Sequence, residues 1–214
     1  MRRSAGWLSV AAAVTAAALL AACGTTPQST RPPPPPAPAH GPACLAKLRQ
    51  RPLAIQSIAF PAQGECVIDT PLRVHGLGIA LSPAATMSCG LADRLADFNQ
   101  AVIQPAAQRR FGVAALKSLD FGAYACRAES SGRDRISQHG FGRAIDVAGF
   151  VLADGTRISV EDDWDDDGPR GDFIHDIARG ACDYFSVVLT PDSNADHRNH
   201  LHLDVGPDRL CGPA

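Results

Sequence analysis

Two short segments of this 214-residue sequence contain residue types that could bind a metal ion. In the first, residues 137–146, His139 and Asp146 lie on either side of two glycines, Gly140 and Gly142. Glycine permits tight backbone turns that other residues disfavour. We therefore expect a loop that directs the His139 imidazole and the Asp146 carboxylate toward one point, although seven positions separate them in the sequence.

The second segment, residues 197–204, is rich in histidine. Alternate residues of a β-strand share one face, so a strand here would present His200, His202 and Asp204 together. Four of the seven histidines of the chain fall in the two segments. This concentration favours a common site over scattered surface positions.

Imidazole nitrogen and carboxylate oxygen both bind Zn²⁺, and a catalytic zinc ion typically has three protein ligands and a fourth position for water. His139, Asp146 and His202 would supply those three ligands. His200 would then remain as a base toward the water, whose pKa such sites lower to about 7. The alternative interpretation is a buried polar network, or surface histidines around a hairpin.

The first segment also resembles a known zinc signature, shared by D-Ala-D-Ala metallopeptidases, lysostaphin-like endopeptidases and the hedgehog N-terminal domain. The matching positions are Ser137, His139, Gly142, Ala144 and Asp146, followed downstream by His200 and His202. A larger pattern resembles the bacterial extensin-like C-terminal domain family across essentially the whole mature domain. It runs through residues 43–44, 124–127, 139–149, 180–182 and 197–204.

The resemblance implies roles for individual residues. The zinc ligands would be His139, Asp146 and His202. His200 occupies the place of the catalytic base, and Arg127 that of an arginine that stabilises the developing oxyanion, although the usual Gly-Tyr-Arg spacing is not kept. His197 would contact the substrate or the ligand shell, and Ser137 would cap or orient the loop.

The function implied is that of a zinc-dependent peptidase of the DD-carboxypeptidase or endopeptidase type, acting on peptidoglycan peptides in the cell envelope. Two alternatives remain open. The domain could be a non-catalytic zinc-containing module that binds peptidoglycan or a protein partner, as the hedgehog resemblance illustrates. The zinc ion could also be purely structural.

The N-terminus predicts export and lipid anchoring. Residues 1–22 combine Arg2 and Arg3 with a long apolar run, which is typical of a signal peptide. The run ends in residues 20–23, which resemble a bacterial lipobox in which Cys23 becomes the lipidated N-terminus. Because Gly24 rather than Asp follows, we expect the outer membrane, on its periplasmic side. The alternatives are an uncleaved anchor and a plain cleaved signal.

Residues 23–42 are rich in proline, including five consecutive prolines at 32–36. Such a segment favours an extended polyproline II conformation and would serve as a tether between the lipid and the domain. A ligand for a proline-recognising module is the less favoured interpretation. We place the zinc metallopeptidase-like domain at residues 43–214.

Six cysteines remain once Cys23 is assigned to lipid. Their number is even, and none lies within four residues of another, so disulfides are favoured over a cysteine-rich metal site in an exported protein. Sequence does not choose among the 15 possible pairings. The six are Cys44, Cys66, Cys89, Cys126, Cys182 and Cys211.

The charge pattern excludes some classes of function. Residues 23–214 carry four more acidic than basic groups, and Lys47 and Lys117 are the only lysines in the chain. A basic face for a phosphate backbone is therefore missing, which argues against nucleic-acid binding. Beyond the leader no stretch approaches a membrane span. We expect a monomer.

Local patterns predict an α+β fold in which helices flank an antiparallel sheet, and the resemblance adds a hedgehog or DD-peptidase-like architecture. Apolar residues recur at helical spacing in a segment that follows Ser82-Pro83, and a turn signal at Asp154-Gly155 predicts a hairpin. The predicted helices are residues 84–110 and 172–184. The predicted strands are residues 116–126 with a break at Gly122, and residues 144–152, 157–160, 185–189 and 201–205.

An acidic run at residues 161–167 resembles the start of a calcium-binding loop. Asp163, Asp165 and Asp167 match the start of such a loop, but its twelfth position is Ile174 rather than glutamate. We therefore favour a solvated loop before the second helix.

Overall fold

A computed structural model of the protein describes residues 40–129 and 135–212. The predicted signal peptide, the lipidation site Cys23 and most of the proline-rich segment lie outside the described residues. Within the described part, no helix has both the length and the apolar character needed to cross a membrane.

Nine strands form one sheet within the described residues. They are β1 (Ala54–Ser57), β2 (Pro71–Gly76), β3 (Ala80–Ser88), β4 (Ala115–Gly122), β5 (Ala144–Leu152), β6 (Arg157–Ser159), β7 (Val187–Leu189), β8 (Leu201–Asp204) and β9 (Leu210–Cys211). Their spatial order is β1-β2-β3-β4-β5-β8-β7-β9, and β6 pairs with the second half of β5. The α+β class is confirmed. The sheet is mixed, because β3 with β4 and β7 with β9 pair in parallel and the other pairs are antiparallel.

The helices belong to three blocks of the chain, one before β1, one between β3 and β4, and one between β6 and β7. They are α1 (Gly41–Arg49), α2 (Cys89–Phe98), α3 (Gln104–Phe111), α4 (Val160–Asp163) and α5 (Pro169–Ala181). A π-helical stretch, Asn99–Ile103, joins α2 to α3. Two 3-10 turns, Gln138–Phe141 and Ala195–His197, lie in the histidine-bearing segments.

The helical layer covers one face of β5, and the candidate metal-binding residues lie on its other face. Ile145 and Val147 line a small cavity together with Leu95 and Phe98 of α2, so these odd-numbered positions face the core. Because side chains alternate along a strand, the intervening Asp146 points to the opposite face. The sheet thus separates the apolar core from the candidate site.

The predicted helix over residues 84–110 is wrong at its start. Residues 84–88 continue β3, in which Ala85 and Met87 are buried and alternate with less buried neighbours, and Met87 pairs with Leu72. The helix begins at Cys89, and the Ser88 hydroxyl accepts a hydrogen bond from the Leu91 N–H at 3.3 Å. Small residues fit a helix or a strand, and pairing with β2 makes this segment a strand.

Other predicted boundaries hold to within a few residues. The hairpin at Asp154-Gly155 is confirmed, since the Asp154 carboxylate accepts a hydrogen bond from the Thr156 N–H at 2.9 Å and Gly155 has a positive φ of 86°. The second predicted helix starts earlier, at Pro169, and ends at Ala181. The predicted strand over residues 116–126 ends at Gly122.

The six cysteines form three disulfides, which confirms their predicted use. The pairs are Cys44–Cys89, Cys66–Cys126 and Cys182–Cys211. The first joins α1 to the start of α2, and the third joins the end of α5 to β9. The second joins the segment before β2 to the segment after β4, which borders the candidate site.

Candidate metal centre

The 3-10 turn Gln138–Phe141 positions His139. Ser137 is its N-cap, and the Ser137 hydroxyl accepts a hydrogen bond from the His139 N–H at 3.4 Å. Gly142 ends the turn in the left-handed region, with φ 58°, where only glycine avoids strain. From there the chain enters β5, so that His139 lies beside the start of the strand that carries Asp146.

This turn packs tightly against the Cys66–Cys126 disulfide. A Cβ atom at Gly140 would lie 2.6 Å from Ile136 Cγ2 and 2.9 Å from Cys66 Sγ. Both distances are shorter than real contacts allow, so residue 140 must be glycine for the turn to take this position. The disulfide therefore supports the turn that carries His139.

Sheet register brings Asp146 and His202 together. The two residues are direct partners in the antiparallel pairing of β5 and β8, and directly opposite residues project from the same face of a sheet. Asp146 Oδ1 lies 2.9 Å from His202 Nδ1. Strand β8 begins at Leu201, so the predicted strand position of His202 is correct.

His139, Asp146 and His202 form one group whose ligand atoms all lie within 4.8 Å of one another. His139 Nε2 is 3.2 Å from Asp146 Oδ1 and 3.2 Å from His202 Nδ1. Tetrahedral coordination with bonds of about 2.0–2.2 Å would separate its ligand atoms by roughly 3.3–3.6 Å. The observed separations of 2.9–3.2 Å are a few tenths of an ångström shorter, so the three side chains have the chemistry to hold a metal ion such as Zn²⁺ and would fit it after a small outward shift.

The charges of the group suit a cation. Burial opposes ionisation of Asp146, but hydrogen bonds and charge interactions with His139 and His202 hold its pKa well below the ordinary value. Burial also opposes protonation of His202, yet hydrogen bonds to Asp146 and Asp204 raise the pKa of His202 to about 9. A negative carboxylate thus attracts positive charge to this point, whether a proton or a metal ion.

A backbone carbonyl fixes the orientation of His139. Its Nδ1 lies 3.0 Å from the carbonyl oxygen of Ala123, which directly follows β4. A carbonyl can only accept, so Nδ1 carries the proton and donates, which leaves Nε2 free to bind a metal. This contact could not be predicted from the sequence, because every residue carries a backbone carbonyl whatever its type.

His200 lies beside the ligands, one residue before β8 rather than within it. Its Nε2 is 3.5 Å from Asp146 Oδ1, and its Nδ1 is 2.9 Å from the Asn199 side-chain oxygen. Burial lowers the pKa of His200, the nearby carboxylate of Asp146 partly opposes this, and the charge of Arg127 lowers the pKa further. His200 is therefore a neutral imidazole near pH 7, able to accept a proton.

Arg127 follows Cys126 in the segment after β4, and its side chain is exposed. The Arg127 carbonyl accepts a hydrogen bond from the Ser137 N–H at 3.0 Å, which ties this segment to the turn that carries His139. The charge of Arg127 lowers the pKa of His200, but it acts less than burial, Asp146, His202 and His139 do.

His197 belongs to the same cluster. Its ring centroid lies 5.1 Å from that of His200 and 5.8 Å from that of His202. Burial, together with the two neighbouring imidazoles, lowers the pKa of His197 to about 4. His197 is thus neutral and lines the site without belonging to the group of three.

Asn194 holds His197 in place and was not predicted. It is the N-cap of the turn Ala195–His197, where its side-chain oxygen accepts from the Asp196 N–H at 3.0 Å and lies 2.7 Å from His197 Nδ1. Asparagine is a preferred N-cap residue, so the signal was present in the sequence.

The acidic run does not assemble a second group of ligating side chains within the described residues. Asp163 ends the short helix α4, and its Oδ2 accepts a hydrogen bond from the Ser159 N–H at 2.8 Å. Asp163 Oδ1 lies 3.6 Å from the guanidinium of Arg170. This carboxylate thus anchors the connection between β6 and α5.

The family model described as extensin-like protein C-terminus matches residues 42–212. No curated protein and no solved structure matches the chain significantly. The matched range includes every described residue of the metal centre and all three disulfides. The chain therefore belongs to the extensin-like protein C-terminal family.

Proposed function

We propose that this domain is a zinc-dependent peptidase that cleaves peptide bonds of peptidoglycan. The observation that carries the proposal is the position of His200, a neutral imidazole 3.5 Å from the Asp146 carboxylate and outside the group of three ligands. A purely structural four-ligand site would have no need of an adjacent unligated base. The motif from Ser137 to Asp146 also resembles that of D-Ala-D-Ala metallopeptidases.

Zinc bound by His139, Asp146 and His202 would act as a Lewis acid toward the peptide carbonyl and lower the pKa of a water to about 7. His200 accepts the proton of the attacking water and delivers it to the leaving amine. Arg127 places a positive charge where negative charge develops on the carbonyl oxygen. His197, held by Asn194, lines the approach to His200.

The proposed location follows from the leader. A lipid on Cys23 and the proline-rich segment would hold the domain at the periplasmic side of the outer membrane, within reach of the peptidoglycan stem peptides. The partners would then be a peptidoglycan peptide and, through the lipid, the membrane, with the domain acting as a monomer.

The test uses the purified full chain loaded with zinc and incubated with muropeptides, with products separated by chromatography and weighed by mass spectrometry. We expect loss of a D-Ala residue or of a cross-link. His200→Ala should lower the cleavage rate by about 10²-fold or more without lowering the zinc content. His75→Ala, an exposed histidine on β2, is the matched control and should cleave normally.

Two outcomes oppose the proposal. A zinc-loaded protein that leaves every muropeptide intact is not a peptidase of this kind, and retention of muropeptides by such a protein supports the non-catalytic binding module. Equal cleavage by His200→Ala and the native protein removes His200 from the mechanism.

A further inference from the structure

We infer that Asp204 is a positioning residue of the metal centre: its carboxylate accepts a hydrogen bond from Nε2–H of His202 and so holds His202 Nδ1 toward the ion. The inference rests on the proposed metal site but not on the proposed peptidase activity. It assigns a function to a buried carboxylate that the cleavage mechanism does not use.

The geometry fixes the Asp204 carboxylate independently of any metal. Asp204 lies two residues after His202 on β8, so the two side chains share a face, and Asp204 is only 4% exposed. Its Oδ1 accepts a hydrogen bond from the Gly206 N–H at 2.8 Å. This main-chain contact leaves Oδ2, which lies 3.4 Å from His202 Nε2.

Imidazole has two nitrogens, and only one of them can face the other ligands. His202 Nδ1 points at Asp146 Oδ1 and His139 Nε2, whereas Nε2 points away from them toward Asp204. A carboxylate only accepts, so the proton must reside on Nε2 when Nδ1 is free to bind. Asp204 therefore selects the tautomer of His202 and opposes rotation of its ring.

The two histidine ligands are held by different acceptors. His139 donates to the neutral carbonyl of Ala123, whereas His202 donates to a carboxylate. A charged acceptor strengthens the hydrogen bond and raises the basicity of the imidazole. Asp204 and Asp146 together would also provide two carboxylates near a divalent cation. Loss of such a partner typically weakens metal affinity 10–100-fold.

The test is a zinc titration of the full chain, first freed of metal with a chelator. Asp204→Asn keeps the shape of the side chain and an oxygen for the Gly206 N–H but removes the charge. We expect zinc affinity to fall 10–100-fold. Asp163→Asn is the matched control, because Asp163 is 9% exposed and also accepts a main-chain N–H, yet lies outside the ligand group. Its zinc affinity should stay within threefold of the native value.

A solely structural role for Asp204 predicts a different result. Asp204→Asn would then lower the stability of the metal-free protein while its zinc affinity and the visible spectrum of its Co²⁺ form match the native ones, which overturns the inference. If the native chain itself binds no zinc, the metal site and the inference fail together. If it binds zinc but cleaves no muropeptide, only the peptidase proposal fails.

A second measurement needs no variant. In the native chain loaded with ¹¹³Cd²⁺, long-range ¹H–¹⁵N NMR should show a proton on His202 Nε2 and coupling of the metal to Nδ1. Coupling through Nε2 would contradict the inference even if Asp204→Asn failed to fold.

Discussion

Asp146 and His202 are direct partners across β5 and β8, and Asp146 Oδ1 lies 2.9 Å from His202 Nδ1. Two regular strands thus set the distance between two metal ligands. The third ligand, His139, comes from a turn braced by Ser137 and by the Cys66–Cys126 disulfide. Sheet register and a braced turn therefore position the three candidate ligands.

Zinc should stabilise the folded chain. A ligand that binds only the native state adds about 2.7 kcal/mol to the free energy of unfolding at a concentration one hundred times its Kd. Replacing one of three ligands by His202→Gln should abolish this gain, while the exposed His75→Gln should retain it. Urea unfolding with and without zinc, with disulfides intact, measures the difference. Equal stabilisation of both variants by zinc would show that the ion binds at a different site.

The buried Asp120 should make stability fall as the pH rises. Asp120 is 6% exposed, and its Oδ2 has no hydrogen-bond partner among the described residues. Burial raises the pKa of Asp120 to about 7, although hydrogen bonds from Ser118 and Ser82 oppose this. Between about pH 4 and pH 7 the native state therefore holds a proton that the unfolded chain, with a pKa near 3.9, has already released.

Asp120→Asn removes this proton linkage. Relative to the native chain, the variant should gain stability from pH 4 to pH 7, by on the order of 2–4 kcal/mol, and no further above pH 7. Denaturant unfolding at several pH values gives the difference. Asp154→Asn should show the opposite sign and only below about pH 4, because a hydrogen bond from the Thr156 N–H lowers the pKa of Asp154 below its ordinary value. A flat difference for Asp120→Asn would contradict burial of an ionisable carboxyl group.

Gly140→Ala should damage both stability and metal binding. The added methyl group would meet Ile136 and Cys66, so the turn carrying His139 must move. Overpacking of this kind costs about 1–3 kcal/mol. Gly180→Ala is the control, since Gly180 lies on α5 and its added methyl group would meet Val102 instead. We expect similar destabilisation of both variants and weaker zinc binding only for Gly140→Ala, measured by calorimetry.

Arg127 should affect turnover rather than metal binding. Removal of one group that stabilises an oxyanion typically lowers kcat 10²–10³-fold, so Arg127→Ala should do so at unchanged zinc affinity. Because the charge of Arg127 lowers the pKa of His200, the acidic limb of the kcat/KM profile should also shift to higher pH. Arg127→Lys should keep that limb in place. If the acidic limb of Arg127→Ala did not shift, the charge of Arg127 would not act on the pKa of His200.

Local patterns predicted the grouping of His139, Asp146 and His202 and the α+β class, but not every boundary of the surrounding elements. The motif from Ser137 to Asp146 and the pair His200 and His202 could be recognised because their chemistry depends on residue type and spacing. The start of the helix could not be predicted, since Ala84, Ala85 and Thr86 suit a helix or a strand. Only their pairing with the distant β2 makes them a strand. Disulfide pairing likewise depends on contacts between segments 29 to 60 residues apart.

Some contacts of the site cannot be predicted from residue types. The Ala123 carbonyl acts through the main chain, and the orientation of the His202 ring depends on where Asp204 Oδ2 lies. Asp204 was placed correctly on the face of His202, but a face does not specify which imidazole nitrogen meets which oxygen.

The Cys66–Cys126 bridge links the candidate metal centre to the formation of a disulfide. Its sulfur packs against the turn that carries His139, and its other half adjoins Arg127. A chain with this bridge reduced would still carry all three candidate ligands, but the turn that holds one of them would lose its brace. Two cysteines that are not ligands thus contribute to the geometry of the ligand group.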